Sequence, residues 1–359
     1  MKLLVITQKV DINDDLLGFF HKWLEELAAR WEKLTVITLG QGETKLPANV
    51  RVLSLGKEKG APRMFRKSIY TWNFFKLIIR ERKNYDAVFV HMNQEYVILG
   101  GLLWKLWNKK IGFWYVHKKV SFKLRLAEKL ADYIFTASEE GFRLGSKKVL
   151  ITGHGINTEQ FSPAKAERKP EGAFKIIYVG RISPIKNQKL LVEALDILVN
   201  KKGITDSRIK FIGAPVYPED EAYLGQLKEA VRRDKLEGCV DFIGSVPYRE
   251  ISKYYAEADL AVNLCPTGGM DKAVLEAMAA GLPVIAYNKA FVSLFGQYAG
   301  LMVLENDDKI ELAKKITALK ILPLGEKIVL SERLISIVKE RYSLGNLIEK
   351  ITKKFQSRE

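Results

Sequence analysis

Short apolar segments rich in β-branched residues alternate with helical segments along almost the whole chain. In the first half, strands are predicted for KLLVIT, LTVITL, YDAVFVH, KIGFWYVH, YIFTAS and KVLITG, with helical periods such as FFHKWLEELAARW between them. Strands that alternate with helices pair in parallel and are joined by right-handed crossovers. The sequence therefore predicts an α/β fold.

The alternation stops once, at residues 162–172, and then starts again. This stretch, SPAKAERKPEG, is rich in Pro, Gly and charge, which is typical of a linker. Five more strands are predicted after it, in FKIIYVG, RIKFIG, VDFIG, ADLAVNLC and LPVIAYN. We therefore predict two domains, residues 1–164 and 172–339, whose parallel sheets face a central cleft.

Composition indicates a reduced compartment. The chain has 359 residues, 47% of them hydrophobic, so it can bury substantial cores. Its two cysteines, Cys239 and Cys265, form no metal-binding pattern. No apolar run approaches the ~20 residues of a membrane span, and the first residues do not read as a signal peptide. We expect a cytoplasmic protein, soluble or peripheral at the inner face of the membrane.

Positive charge is concentrated in one segment. The net charge is +16, and residues 51–150 hold 21 Lys and Arg against 8 Asp and Glu. Basic residues there interleave with Trp, Tyr and Phe, which suits the headgroup zone of an anionic membrane. Nucleic acid would leave a similar footprint, and lysines on a solvated face are the third reading. We favour an anionic membrane surface through residues 51–150 and expect no nucleic acid partner.

A single carboxylate interrupts an apolar helix in the segment TGGMDKAVLEAMAAG. Asp271 is a good N-cap, Gly281 ends the helix, and Glu276 lies in its middle. Because strands are predicted on both sides, the helix begins at the carboxyl edge of the sheet, where its amides attract anions. Glu276 can there bind a ribose diol while the amides hold phosphates. The alternative is a Glu that only complements the helix dipole.

Two cations follow the first strand of the second half. The loop in YVGRISPIKN carries Arg181 and Lys186, at the same sheet edge as the helix before Glu276. An Arg fork and a Lys point charge can converge on a diphosphate. The alternative is a pair of solvated loop cations.

The histidines and known motifs add less. Of His21, His91, His117 and His154, the second and third each end a predicted strand and could face the cleft, although single histidines of this kind are more often structural. The sequence contains no HExxH, GxSxG or GxxxxGK[ST] motif, which argues against hydrolase and P-loop functions. No metal site is predicted.

Three ordered segments resemble one enzyme family. YVGRISPIKNQKLLVEAL, VDFIGSVPYREISKYYAEADLAVNLC and VLEAMAAGLPVIAYN look like the donor half of retaining glycosyltransferases of family 4. HGINTEQFSP and YVH extend the resemblance over nearly the whole chain. It implies the GT-B fold of two Rossmann-like domains, and transfer of a sugar from a nucleotide sugar, with a UDP- or GDP-sugar most expected. It also implies that a final helix, at about 340–359, crosses back to the first domain.

The resemblance also implies roles for residues of this sequence. Glu276 matches the glutamate that holds the ribose, and Arg181 and Lys186 match the pair that neutralises the diphosphate. The other matched positions are Val246, whose backbone contacts the base, His117, which contacts the transferred sugar, and Gly18, which begins the first long helix near the phosphates. At Gly18 the family usually has two consecutive glycines, and here there is only one.

One position departs from the family pattern. The family's first glutamate is replaced by Gly268, so Gly269, Met270 or the Asp271 side chain must contact the donor sugar instead. His154 replaces the usual Asn. A catalytically silent partner subunit and a nucleotide-sugar epimerase of the same fold therefore stay as alternatives. Because the basic, aromatic first half lies on the acceptor side, we expect a lipid-linked saccharide or glycolipid acceptor and no metal.

Overall fold

The chain forms two α/β units. The computed structural model describes residues 1–60, 62–162, 172–266 and 269–357. Unit 1 comprises residues 1–155, 247–249 and the C-terminal segment from Ser343, and unit 2 comprises residues 156–246 and 250–342. The division falls at residues 155–156, whereas most of the predicted linker lies outside the described residues.

Unit 1 is built on a parallel sheet. Its strands are β1 (Lys2–Val10), β2 (Lys33–Gln41), β3 (Val50–Ser54), β4 (Ala87–His91), β5 (Lys110–Trp114), β6 (Tyr133–Thr136) and β7 (Val149–Ile151). Their order is β3-β2-β1-β4-β5-β6-β7. Neighbouring strands run parallel. The direction of the winding therefore reverses between β1 and β4.

Four helices of unit 1 follow strands of this sheet. They are α1 (Phe19–Ala28), α2 (Arg66–Arg80), α3 (Gln94–Leu106) and α4 (Phe122–Leu130). Asn93 caps α3 by accepting the Glu95 amide, and Ser121 caps α4 by accepting the Leu124 amide. These caps fix where α3 and α4 begin, just beyond the carboxyl ends of β4 and β5.

Unit 2 has a smaller parallel sheet. Its strands are β8 (Phe174–Val179), β9 (Ser207–Ile212), β10 (Val240–Gly244), β11 (Leu260–Asn263) and β12 (Val284–Ala286), in the order β10-β9-β8-β11-β12. Its helices are α5 (Gln188–Asp196), α6 (Pro218–Arg233), α7 (Ile251–Glu257), α8 (Lys272–Ala279), α9 (Val292–Phe295), α10 (Ala299–Met302), α11 (Lys309–Ile321) and α12 (Leu324–Arg341). The winding reverses between β8 and β11, which is the switch point where ligands bind in open α/β sheets.

The last helix, α13 (Leu344–Gln356), packs on unit 1. Its Leu347 and Ile351 are fully buried in the same core cluster as Leu24 of α1. The Trp31 indole donates to the Thr352 hydroxyl at 3.3 Å. Alternate residues of β1 point to opposite faces of the sheet. Leu3 and Val5 pack with α1 and α13, whereas Leu4 and Ile6 pack with α2, α3 and α4, so these two sets of helices cover opposite faces.

Among the helices in the described part of the chain, none combines the length and the apolar character that crossing a bilayer requires.

Candidate functional site

The loops after β8 and β11 meet at the switch point of unit 2. Arg181 and Lys186 lie in the loop after β8, and Asp271 caps α8 at the end of the loop after β11. Since β8 and β11 are neighbouring strands, both loops leave the sheet at its carboxyl edge. The structure thus places these three residues at the position where a doubly wound sheet binds ligands.

Tyr178, near the end of β8, ties the two loops together. Its buried hydroxyl donates to the Lys186 carbonyl oxygen and accepts the Leu264 amide at 3.1 Å. Burial raises the pKa of Tyr178 well above its usual value. The hydroxyl is therefore a neutral donor and acceptor that holds the loop of Lys186 against the loop that leads to α8.

Replacing Tyr178 with Phe is expected to lower the free energy of unfolding by about 1–3 kcal/mol, because the change leaves a buried amide and a carbonyl without their partner. Denaturant titration measures this. Tyr217→Phe is the matched control, since Tyr217 is 52% exposed and its hydroxyl loss should cost little. Equal stabilities of the two variants would contradict the bridging role.

Lys186 is ion-paired with Asp271. Its ammonium donates to the Asp271 carboxylate, and both side chains are about one-fifth exposed, at 20% and 22%. Burial opposes the charge on each group, but their mutual attraction raises the pKa of Lys186 and lowers the pKa of Asp271. The other Asp271 oxygen accepts the Ala273 amide at 3.3 Å and so caps α8. Lys186 is thereby fixed at the positive end of the helix dipole.

Arg181 has a carboxylate partner as well. Its Nε lies 3.7 Å from Oδ2 of the buried Asp220, and its guanidinium lies 5.3 Å from the Tyr217 ring centroid. Asp220 in turn accepts the Val216 amide at 3.2 Å. Arg181 and Lys186 are therefore each paired with a carboxylate, and an anion must compete with these two carboxylates for them.

Glu276 lies inside unit 2, one turn into α8. It is 4% exposed, and its Oε2 is 3.4 Å from the Tyr255 hydroxyl, while its Oε1 is 3.9 Å from the Lys272 ammonium. The Tyr255 hydroxyl also donates to the Ala273 carbonyl oxygen at 3.2 Å. These contacts hold the carboxylate beside the first turn of the helix. The tyrosine and the lysine therefore offset part of the free-energy cost of burying this carboxylate.

Lys272 is a site residue that the sequence analysis did not single out. Burial lowers the pKa of Lys272 to about 8, and Glu276 only partly offsets this effect. The ammonium is mostly protonated at pH 7, so it adds a third cation at the start of α8. Its position immediately after the N-cap, four residues before Glu276, was the available signal.

The lowered pKa of Lys272 predicts a pH-dependent stability. In the unfolded chain, the pKa of a lysine is about 10.4. Between about pH 8 and pH 10 the unfolded state therefore binds more protons than the folded state, so the free energy of unfolding rises with pH. We expect the unmodified protein to gain about 1–2 kcal/mol relative to Lys272→Met between pH 7.5 and 9.5. Urea titrations of both proteins at each pH measure the difference. A constant difference over this range would contradict the lowered pKa.

The remaining predicted residues of unit 2 lie on the flanking loops. Asn288 donates to the Gly269 carbonyl oxygen at 3.2 Å and so holds the loop before α8. Met270 is half-buried in the same loop, and Val246 is half-buried beyond β10. Gly268, the position that departs from the family pattern, lies outside the described residues.

Unit 1 has a cavity of about 590 Å³. It lies where β4 and β5 end and α4 begins, and its lining includes His117, Tyr115, Asn93, Glu95 and Lys123. His117 is exposed, and its Nδ1 accepts the Lys119 amide at 3.1 Å, so the neutral ring carries its proton on Nε2. The structure therefore gives His117 an outward-facing donor at a polar cavity.

His91 and Gly18 are parts of the packing of unit 1. His91 is 2% exposed and stacks on Phe20, with ring centroids 4.2 Å apart, so it is a structural residue of an aromatic cluster. Gly18 is the N-cap of α1, and a Cβ there would lie 2.4 Å from the Asp14 carbonyl oxygen. Glycine is required at this position by space.

Part of unit 2 matches a known protein family. Residues 173–320 match the family described as glycosyl transferases group 1. A 147-residue stretch is 33% identical to the amylovoran biosynthesis glycosyltransferase AmsK of Erwinia amylovora, over 39% of this chain and 34% of that protein. A 125-residue stretch is 27% identical to the human GDP-Man:Man(3)GlcNAc(2)-PP-Dol alpha-1,2-mannosyltransferase, over 34% of this chain and 25% of that protein. The matches span about a third or less of these relatives.

The fold of almost the whole chain is similar to that of solved structures. HepE of Anabaena, in complex with UDP, superposes with a TM-score of 0.76 over 99% of both chains at 16% identity. At this identity the likeness concerns the fold, and it confirms the predicted architecture. The chain therefore has the GT-B fold, and its residues 173–320 match the family of glycosyl transferases group 1.

Proposed function

We propose that this protein is a retaining glycosyltransferase that uses a UDP- or GDP-sugar. The observation that carries the proposal is the arrangement at the switch point of unit 2. Arg181 and Lys186 lie in the loop after β8, and Lys186 pairs with Asp271 at the amino end of α8, one turn before the buried Glu276. Cations and helix amides suit a diphosphate, and a carboxylate one turn away suits a ribose diol. The names of AmsK and the human mannosyltransferase support a transferase activity.

The chemistry proposed for these residues is electrostatic. The bond between the sugar and the diphosphate breaks through an oxocarbenium-like transition state, and negative charge grows on the departing diphosphate. We assign Arg181 and Lys186 to stabilise this growing charge, in competition with their carboxylate partners, and so to lower the barrier. The acceptor hydroxyl attacks from the face that the leaving group vacates and gives its proton to a phosphate oxygen. We assign this charge stabilisation to the two cations and the helix end, without a metal.

The acceptor proposed is a lipid-linked saccharide or a glycolipid at the cytoplasmic face of a membrane. The cavity of unit 1 offers amides, a carboxylate and aromatic rings, which are the groups that bind sugar hydroxyls and ring faces. His117 is the residue of this unit that we assign to the transferred sugar. The name of the human relative includes a saccharide on PP-Dol.

A silent partner subunit and an epimerase are less well supported, because both named relatives are transferases. A silent subunit would bind nucleotide without turnover.

A panel of nucleotides and nucleotide sugars tests the proposal. We expect UDP or GDP, rather than ADP or CMP, to raise the melting temperature, and the matching nucleotide sugar to be consumed slowly by transfer to water or a saccharide. Arg181→Ala should lose most of the shift. Binding without any turnover would favour the silent subunit, and release of an epimerised sugar nucleotide would favour the epimerase. If no nucleotide shifts the melting temperature, the proposed donor site is wrong.

A further inference from the structure

The outer side of the α2–α4 layer of unit 1 is unusually apolar. Within the described residues, large apolar side chains on α2 and just before it are 37–84% exposed. They are Met64, Phe65, Ile69, Trp72 and Ile79. In α3, Leu102 and Leu106 are 72% and 76% exposed, and in α4 the exposed apolar residues are Phe122 and Leu126. A helix on a soluble protein normally turns polar residues outward, so this layer calls for a partner.

On α2 the exposed apolar residues form one stripe. Phe65, Ile69, Trp72 and Ile79 follow one another at spacings of four, three and seven residues, which places them on the same face. The opposite face holds Phe74, Leu77 and Ile78 in the core. The stripe is therefore additional to the side that packs on the sheet.

The three helices form one continuous layer. The Phe74 ring of α2 stacks on the Tyr96 ring of α3, with centroids 5.1 Å apart, and α3 packs along α4. All three cover the same face of the sheet. The opposite face differs, since the exposed positions of α13 are Glu349, Lys350, Lys353 and Gln356, all of them polar.

Charge identifies the partner. Residues 63–80 carry five Lys and Arg and no Asp or Glu, and residues 117–129 carry five Lys and Arg and one Glu. In the described structure, Arg63, Arg66, Lys67 and Lys76 form no ion pair. Aromatic and aliphatic side chains among unpaired cations match the interface of an anionic bilayer, which accepts apolar groups at headgroup depth and attracts basic ones. Nucleic acid would use the cations but would leave Trp72, Leu102 and Leu106 in water.

We propose that the outer side of α2, α3 and α4 docks on an anionic lipid bilayer, with Phe65 and Trp72 inserted at headgroup depth. The inference rests on the proposed function and deepens it, because it names the face of unit 1 that contacts the membrane in which the acceptor is anchored. The cavity beside His117 opens at the start of α4, next to this layer. A lipid-linked acceptor in that cavity would have its lipid close to the bilayer.

Vesicle binding by the full chain tests the inference. We expect sedimentation with vesicles of phosphatidylglycerol and phosphatidylcholine at low salt, and about tenfold weaker binding for Phe65→Ser with Trp72→Ser. Arg66→Glu with Lys76→Glu should weaken binding by about tenfold or more. Leu324→Ser, at a site 74% exposed in unit 2, and Lys314→Glu are the matched controls, and both should bind as the unmodified protein does.

Other results would overturn it. Absence of vesicle binding, equal binding by the paired variants, or stronger salt-dependent binding to duplex DNA than to vesicles would each contradict a lipid surface. Circular dichroism checks that the variants fold, and the Trp emission of the unmodified protein should shift to the blue on vesicles and lose that shift in Trp72→Ser. Nucleotide melting shifts without vesicles report on the donor site alone. If the protein binds vesicles but no nucleotide, the result supports the docking surface and contradicts the proposed function.

Discussion

Replacing Glu276 with Gln is expected to weaken the binding of the preferred nucleoside diphosphate by about 30–100-fold, or about 2–3 kcal/mol. The carboxylate is buried one turn into α8, where two hydrogen bonds from a ribose diol would be charge-assisted and shielded from water. Gln keeps the size of the side chain and an oxygen that can accept the Tyr255 hydroxyl, but it removes the charge. Titration calorimetry of both proteins gives the ratio of the dissociation constants.

Two controls separate binding from folding. Glu257→Gln removes a carboxylate of unit 2 that is 55% exposed and paired with Lys210 on the surface, and nucleotide affinity should not change. The melting temperature of ligand-free Glu276→Gln shows whether loss of the Lys272 pairing unfolds the protein. If Glu276→Gln folds and binds nucleotide as tightly as the unmodified protein, Glu276 only complements the helix dipole.

Replacing Lys186 with Met should lower kcat by about 100–1,000-fold, because a cation held at the departing diphosphate stabilises the transition state more than the ground state. It should also weaken the binding of the nucleoside diphosphate. The assay follows transfer from the nucleotide sugar whose nucleotide binds best.

The ion pair with Asp271 provides a matched comparison for Lys186. Asp271→Asn keeps a side chain that can cap α8 and releases Lys186 from its carboxylate partner. If Lys186 binds phosphate, this variant should bind the nucleoside diphosphate at least as tightly as the unmodified protein, while Lys186→Met binds it weakly. If Lys186 serves only the fold, the two variants should weaken binding alike.

The predicted strands of the fold were mostly correct because parallel strands buried on both faces are continuous apolar runs. β3 was missed, since it is a partly exposed edge strand that carries Arg51 and has no such run. The basic, aromatic segment that forms α2 was not assigned a helix, because its exposed side is apolar and hides the usual amphipathic pattern.

The sequence located the loops of the candidate site but not their partners. Arg181, Lys186 and Asp271 are near strand ends, so topology alone brings them to one edge. Their pairing could not be predicted, since Asp220 is 39 residues from Arg181 and Asp271 is 85 residues from Lys186, and each pair is set by tertiary packing. The predicted anion site is thus partly neutralised, which the cations alone did not indicate. The roles of all the predicted site residues, Val246 and His117 among them, stay predictions.

The central claim is that Arg181, Lys186 and the amino end of α8 bind the diphosphate of a nucleotide. The most direct measurement compares dissociation constants of the preferred nucleoside diphosphate and its monophosphate, for the unmodified protein and for Arg181→Ala with Lys186→Ala. We predict that the unmodified protein binds the diphosphate at least about tenfold more tightly, and that the double variant loses this preference. A preference for the diphosphate that persists in the double variant, or no binding of either nucleotide to the unmodified protein, would contradict the account.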